Sequence, residues 1–303
     1  MTAVFKLNYS DFEVILVDNN SSNEIPVKTF RELKNNYITP FHYLQESKQG
    51  LANARICGVN AAQGEWIVFV DDDNVLNSDY LYELEEVINQ YPSCVCWGPG
   101  IIDVCFTGVQ SSFIKKYCKK YFQEKKIEGT HLGIDKSWSS YYPTGSGMTI
   151  RKDIFCLYRQ NYLSGSMSLS GRKGEDLSSG EDAQIIWTCI LSGYMVGSSG
   201  TMVLKHIIDE NRCDIKYLTR LNFSVSRDYY LANWQMFHDE KIFSEEPGFT
   251  HWVRLLFNCI KITFPNFISM IKLFRVEREW VRGYYCARNL FSSSSLLDEN
   301  TRV

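Results

Sequence analysis

Two largely apolar runs that each end in carboxylates constrain this chain more than any other feature of it. Residues 12–17 read FEVILV and lead into Asp18, and residues 65–70 read EWIVFV and lead into Asp71, Asp72 and Asp73. A short β-branched run closed by polar residues reads as a strand buried in a parallel sheet. Around these runs the pattern predicts a helix over 26–36 with Pro26 in its first turn, a strand over 41–45, and a helix over 50–63 stopped by Gly64. A helix over 78–90 and a strand over 94–102 follow. This alternation predicts an α/β fold, a mostly parallel sheet flanked by helices. Ligands of such sheets bind at the carboxyl ends of the strands, which puts Asp18 and Asp71 on one rim.

Beyond 103 the regular alternation fades. Residues 110–127 read as a helix whose lysines at 115, 116, 119 and 120 form a solvated face. A turn-rich stretch, YYPTGSGM, approaches a short strand at 148–151. Residues 164–180 are rich in Ser and Gly and read as a mobile loop. Glu181-Asp182 opens an apolar helix to about Leu191, and a strand over 201–205 is followed by His206. The remainder is helical and aromatic.

The net charge of −3 argues against a nucleic-acid partner, which usually demands a strongly basic surface. The ten cysteines show no CxxC pair and no zinc spacing, as expected of reduced, mostly buried thiols in a cytosolic protein. Met1 to Asn8 has no apolar core of the signal-peptide kind. No uncharged apolar run reaches the roughly 18 residues of a membrane span.

Three adjacent carboxylates at the end of a buried strand repel one another, and burial raises the cost of ionising them. A hard divalent cation, Mn²⁺ or Mg²⁺, relieves both penalties and can also bind a diphosphate. A solvated turn or a helix cap is the alternative.

The stretches FEVILVDNNSS and QGLANARICGVNAAQGEWIVFVDDDNVL resemble the nucleotide-binding half of the GT-A fold family 2 glycosyltransferases. PTGSGMTIRKDIF and SSGEDAQIIWTCILSGY resemble the acceptor side of that family and its Glu-Asp motif. The resemblance covers roughly residues 5–230 in the expected order. It implies a GT-A catalytic domain over 1–230, with the nucleotide-binding half at about 1–103 and the acceptor-side half at about 104–230, then a helical C-terminal region over 231–303.

By this resemblance Asp18 contacts the nucleotide base, where a carboxylate suits the imide N–H of uracil, with Asn20 beside it. Asp73 contacts the metal, Asp71 lies toward the ribose or the metal, and Asp72 is peripheral to the donor site. Gly50 allows close backbone approach. Arg55 pairs with a carboxylate of the triplet or approaches phosphate, a structural ion pair being the alternative. Asp182 is the candidate general base for an acceptor hydroxyl, with inversion at the anomeric centre, and Glu181 orients it; stabilisation of a helix N-terminus is the competing account of both. His206 is a candidate metal ligand and Arg212 a candidate diphosphate contact. Trp138, Tyr142 and Gly145 are candidates on the acceptor side, with core packing the alternative for the two rings. The loop over 164–180, carrying Arg172 and Lys173, is placed to close over the donor.

Residues 251–275 are apolar but broken by Arg254, Lys261, Pro265 and Lys272. From His251 to Arg288 seven Lys/Arg stand against two Glu. This suits helices lying at a membrane interface, with peripheral contact at the inner face of the cell membrane; a helical pair packed on the catalytic domain, or a dimer contact, is the alternative. The resemblance implies a nucleotide-sugar donor and a glycan or lipid-linked sugar acceptor, so the reading is a metal-dependent hexosyltransferase. Two other classes remain: a sugar nucleotidyltransferase, for which no Gly-rich basic phosphate loop is visible, and a degenerate family member acting as a scaffold.

One departure from the family pattern stands out. Its usual first strand and Pro-x-Tyr-Asn-like loop have no counterpart here, and residues 1–8 read as the end of the helix that would follow. The missing strand belongs between those ending at Asp18 and Asp71, so two rows of backbone groups are expected to lack partners. The chain is therefore expected to be a truncated or mis-started frame. Restoring an upstream segment should raise both melting temperature and turnover; equal values with and without it would refute this.

Overall fold

The computed structural model describes residues 2–22, 25–34, 36–109, 111–174, 176–244 and 247–300, so the last three residues of the expected C-terminal region lie outside it. The FEVILV run forms β1 (Val14–Asp18), and β2 (Phe41–Gln45) pairs with it in parallel through the crossover helix α1 (Ile25–Lys34). These strands make a sheet of two. The second sheet has seven strands, ordered β3 (Trp66–Val68), β8 (Thr149–Arg151), β5 (Cys94–Thr107), β9 (Met195–Asp209) and β4 (Asn74–Leu76), with β6 (Lys125–Lys126) on β5 and β7 (Thr130–Gly133) on β9.

The α/β class is as expected, but the pairing is mixed rather than mostly parallel. In the larger sheet only β5 and β9 run parallel; β3, β4, β6, β7 and β8 all enter antiparallel. The short strands responsible span two to four residues, too few for a periodicity to show. Three other elements differ from the expectation. The 65–70 strand ends at Val68, after which Phe69 still exchanges backbone hydrogen bonds with Gly147 and Met148. The 110–127 helix breaks into α4 (Ser112–Tyr117), a 3-10 turn over Lys119–Phe122 and β6, with Gln123 left-handed at φ 66°. The 201–205 strand is the middle of the fifteen-residue β9, so His206 lies within the strand.

Helices cover the sheet as the apolar patterns require. α2 (Leu51–Ala61), α5 (Lys152–Leu163) and α6 (Glu181–Leu191) contribute to the main core, in which Ile150, Phe155, Ile185 and Trp187 are fully buried. α3 (Tyr80–Gln90) packs the other core around Trp97 and Leu204. α7 (Ile215–Phe237) runs unbroken across residue 230 and lies along α9 (Phe267–Asn300). There Asn222 donates to the Val276 carbonyl at 2.9 Å and Ser226 to the Trp280 carbonyl at 2.6 Å. α8 (Phe249–Thr263) and α9 form a hairpin on a third core containing Phe113, Ile114, Phe122 and Ile208.

β1 and β3 do not pair. Each is an edge of its own sheet, and both line one cavity of about 2210 Å³. Val14, Ile15, Leu16 and Val17 are therefore only half-buried, although their sequence is that of a central strand. Ligand pockets run to roughly 300–1,000 Å³, so this cavity joins a ligand-sized rim to a slot between two sheet edges. Core truncation costs most where the surroundings are packed and cannot collapse. Ile150→Ala should cost about 4 kcal/mol in urea unfolding and Ile15→Ala no more than about half of that. Equal costs would mean that the slot is filled in solution.

Candidate active site

The expected residues share the wall of one cavity: Asp18 ends β1, the Asp71–Asp73 triplet follows β3, Arg55 and the Glu181–Asp182 pair sit on helices, and His206 lies within β9. Asp18, Asp71, Asp72, Asp73, Arg55, Gly145, Glu181, Asp182, His206, Arg212 and Trp138 all line the cavity. Asp18 ends β1 and is buried; its Oδ1 accepts the Ser21 N–H at 2.9 Å and its Oδ2 the Tyr43 hydroxyl at 2.8 Å. Burial pushes this carboxyl up, but the bonds from Ser21 and Tyr43 outweigh it and hold the pKa below its ordinary value.

Asp73 meets His206 because of a strand register. β4 begins one residue after Asp73, and its first residue, Asn74, pairs with His206 of β9. The Ile207 N–H donates to the Asp73 carbonyl at 2.8 Å, and Asn74 Nδ2 donates to Asp73 Oδ1 at 2.8 Å. Asp73 Oδ2 then lies 3.4 Å from His206 Nε2 and 2.5 Å from Arg212 Nη2. Burial raises Asp73, but the hydrogen bond and charge from His206, joined by Arg212, prevail and lower its pKa. The neighbouring Asp71 has no such partner: burial raises its pKa, Asp73 adds to the rise, and the Arg55 cation opposes it. Asp72 is exposed.

His206 Nδ1 is 2.8 Å from the Phe122 carbonyl, which can only accept, so Nδ1 carries the proton. Nε2 therefore faces Asp73 either with a second proton, as an ion pair, or with a lone pair. A lone pair beside a carboxylate is the donor set of a cation site, and a carbonyl on the far nitrogen is the usual orienting partner of a ligating histidine. Among the described residues no three His, Cys, Asp or Glu side chains converge to hold an ion. Mg²⁺ needs only one or two carboxylates when substrate phosphates complete its shell. Asp73, with His206 at 3.4 Å, fits that smaller requirement.

Glu181 and Asp182 start α6, after Gly180 at φ 94°. A side chain at Gly180 would meet Leu169 at 2.7 Å and the Asp228 carbonyl at 3.1 Å, so glycine is required by conformation and space alike. Asp182 Oδ2 accepts the Gly145 N–H at 3.3 Å, which ties the acceptor-side turn to the candidate base. Glu181 is buried, and its Oε1 lies 3.5 Å from Arg55 Nη1. Its other oxygen, and Nε and Nη2 of Arg55, are buried without partners. Arg55 also stacks over the Phe69 ring at 5.0 Å, and Nη2 abuts Gly145, where an added side chain would meet it at 2.8 Å. Arg55 is thus paired with Glu181 rather than with a carboxylate of the triplet.

Three expected residues sit elsewhere. Tyr142 is fully buried, its hydroxyl given to the Asp135 carbonyl at 2.8 Å, so its ring is core and has no face for a sugar. Asn20 is exposed with φ 60° and is not in the cavity wall; Asn19 is, and its Oδ1 accepts the Gly50 N–H at 2.7 Å. Gly50 is also off the wall. Its left-handed φ of 131° and missing side chain let α2 abut Ser170 of the 164–180 loop. Trp138 stays at the wall, edge-on to Trp187 at 6.2 Å.

Four residues with positioning roles escaped the sequence reading: Asn19, Tyr43, Asn74 and Asp228. The last is buried on α7, is held by Arg227 at 2.6 Å, and accepts the Ser179 N–H at 2.8 Å just before the Glu-Asp pair. A carboxylate on the buried face of an otherwise amphipathic helix was its only sequence signal.

Residues 1–157, half of the chain, match the profile of the family described as glycosyl transferase family 2. The chain belongs to that family. Among curated relatives, glycosyltransferase GlyA of Streptococcus pneumoniae is 28% identical over 187 residues, 57% of this chain and 26% of that protein. The GalNAc(5)-diNAcBac-PP-undecaprenol beta-1,3-glucosyltransferase of Campylobacter jejuni is 26% identical over 134 residues, 43% of either chain. The matches thus span less than half the length of these curated relatives. The mannosyltransferase PcManGT of Pyrobaculum calidifontis, solved with GDP-Man and Mn²⁺, shares the fold with a TM-score of 0.57 at 12% identity, over 94% of this chain and 81% of that one.

Burial first, and the charge of Asp182 second, push Glu181 up to about 7. A carboxyl raised in this way contributes stability that is complete below its unfolded pKa and is lost as pH rises through the folded one. The melting temperature of wild type relative to Glu181→Gln should therefore fall between pH 5 and pH 8. A difference that does not change with pH would remove this account of Glu181.

Proposed function

We propose that this chain is an inverting hexosyltransferase that uses a nucleotide-diphosphate sugar, UDP-sugars foremost, with Mn²⁺ or Mg²⁺. Its acceptor is a glycan or lipid-linked sugar, in polysaccharide or glycolipid assembly at the inner face of the cell membrane, with peripheral contact through the C-terminal helices. The observation that supports the reading is that Asp18, the Asp73–His206–Arg212 group and Asp182 all line one cavity. The Campylobacter jejuni relative supports the acceptor class, being named for a glucosyl transfer to an undecaprenol diphosphate-linked glycan.

Each residue then has a chemical task. Asp18 uses the second lone pairs of its oxygens to accept the imide N–H of a uracil base, held in place by Tyr43. Asp73, His206 and Asp71 would hold the divalent ion, which would supply positive charge against a departing diphosphate. Arg212, already at Asp73, provides a second positive group for the same diphosphate. Asp182 takes the proton of the acceptor hydroxyl as its oxygen attacks the anomeric carbon from the side opposite the diphosphate, so the configuration inverts. The Gly145 N–H keeps one Asp182 oxygen fixed during that transfer. Trp138 lies at the wall as a surface for the acceptor ring.

The test is release of nucleoside diphosphate from a donor panel with Mn²⁺ or Mg²⁺. Asp182→Asn should lower turnover about 10³-fold, within the usual range for a general base, with donor affinity kept. Asp73→Ala should abolish the response to added metal. Release of pyrophosphate from a nucleoside triphosphate, or unchanged turnover in Asp182→Asn, would overturn the assignment.

A further inference from the structure

The α8–α9 hairpin packs on the catalytic domain with only one of its faces. Cys259, Thr263, Ser269, Leu273 and Val276 are buried, and Cys259, Leu273 and Val276 join the core around Phe113 and Phe122. The opposite face carries large apolar side chains in the open. Leu256, Phe257, Ile260 and Phe264 follow one another at helical spacing along α8 and are exposed. Phe267, Ile268 and Ile271 continue the surface onto the first turns of α9, across the turn at Pro265. Near that turn Phe264 is 80% exposed and Phe267 and Ile268 are each 67% exposed. An apolar ridge of this kind on a folded chain marks a contact surface.

Charge says what covers it. Residues 247–276 contain no Asp or Glu but carry Arg254, Lys261, Lys272 and Arg275. All four are exposed; Arg254 and Lys261 lie on the α8 side nearest Phe257 and Arg275 follows Ile271 along the outer face of α9, whereas the Lys272 amine lies over the Phe113 ring at 5.7 Å. Farther along that face come Arg278 and Arg282, both exposed beyond their contacts with Glu279. The surface is therefore apolar at the turn and increasingly cationic away from it. An interfacial helix has this distribution, with apolar side chains among acyl chains and cations at the headgroups. No helix of the described residues is long and apolar enough to cross a membrane, so the hairpin would lie on a bilayer and not span it.

We infer that the outer face of the α8–α9 hairpin is a seat for an anionic phospholipid surface, entered by Phe264, Phe267 and Ile268 and held by the surrounding cations. The seat is joined to the active site through α9. Glu277 bonds Lys120 and accepts the Tyr121 hydroxyl at 2.7 Å. Those residues belong to the 3-10 turn whose Phe122 carbonyl fixes His206, and Lys120, Tyr121, Glu277 and Trp280 line the cavity. The same helix thus faces lipid at one end and the cavity farther along. This deepens the membrane-facing part of the function proposed above, while its binding arm stands without any assignment of activity.

The experiment is co-sedimentation of the whole chain with vesicles of phosphatidylcholine alone or with about one-third phosphatidylglycerol. Binding to the anionic vesicles should be at least about tenfold tighter and should weaken as salt rises. The double variant Phe264→Ser, Ile268→Ser should lose most of that binding with its melting temperature unchanged. Arg254→Ser with Lys261→Ser should lose the preference for anionic lipid. Nucleotide release to water should be the same in all variants, which separates failure of the seat from failure of the glycosyl-transfer reading. Absence of vesicle binding, binding indifferent to lipid charge, or a dimer in sedimentation velocity that the double variant abolishes would overturn the proposal, the last by showing that a second copy covers the ridge.

Discussion

Burial of carboxylates along one cavity wall is the constraint that the rest of this molecule answers. Asp18, Asp71, Asp73, Glu181 and Asp182 line one cavity, and several are partly or wholly removed from water. Each is compensated by a different device. Asp18 takes a backbone N–H and a phenol, Asp73 takes an imidazole and a guanidinium, and Glu181 takes half of Arg55. Asp71 has only the charges of Arg55, Arg172 and His206 against burial and Asp73, and its pKa stays raised, so it gains from an added cation. The elements that supply these partners come from distant parts of the chain, from β2 and α2 to β9 and the turn after it.

The half-made pair between Arg55 and Glu181 gives this arrangement its particular character. Their closest atoms are 3.5 Å apart, and three of their polar atoms are buried without partners. Breaking a buried pair is costly, yet a loose one contributes little net stability. The pair joins helix α2 to the start of α6. Gly145 and Phe69 confine the guanidinium from two further sides.

How much was legible in the sequence depends on which periodicities are long enough to read. FEVILV and the α2 and α6 segments announce themselves, because burial on both faces or on one helical stripe leaves a pattern over ten or so residues. Asp18 was legible as the end of its strand, whereas the Glu181–Asp182 pair that opens α6 was legible through the family resemblance. Strands of two to four residues such as β4, β7 and β8 carry no period, so the antiparallel character of the larger sheet was hidden. Tyr142 was misplaced because an aromatic beside a turn looks the same whether its ring enters the core or a ligand site. Asn20 was chosen over Asn19 because nothing local distinguishes the neighbour that bonds Gly50 from the one that only turns the chain. The absent pairing between β1 and β3, by contrast, is what the resemblance to the family implies, and the side chains of β1 are only half-buried.

β9 alternates strictly over its second half, with Met202, Leu204, His206 and Ile208 inward and Lys205 and Ile207 outward. His206 thus occupies a position that the fold otherwise reserves for an apolar side chain. Since side chains change face with every residue, sliding β9 by one place against β4 would turn the imidazole to solvent and drive Lys205 into the core. No conformer can keep the hydrophobic interior while losing the imidazole, nor the reverse. Correct assembly of the core and the placing of His206 beside Asp73 are therefore locked to a single strand register.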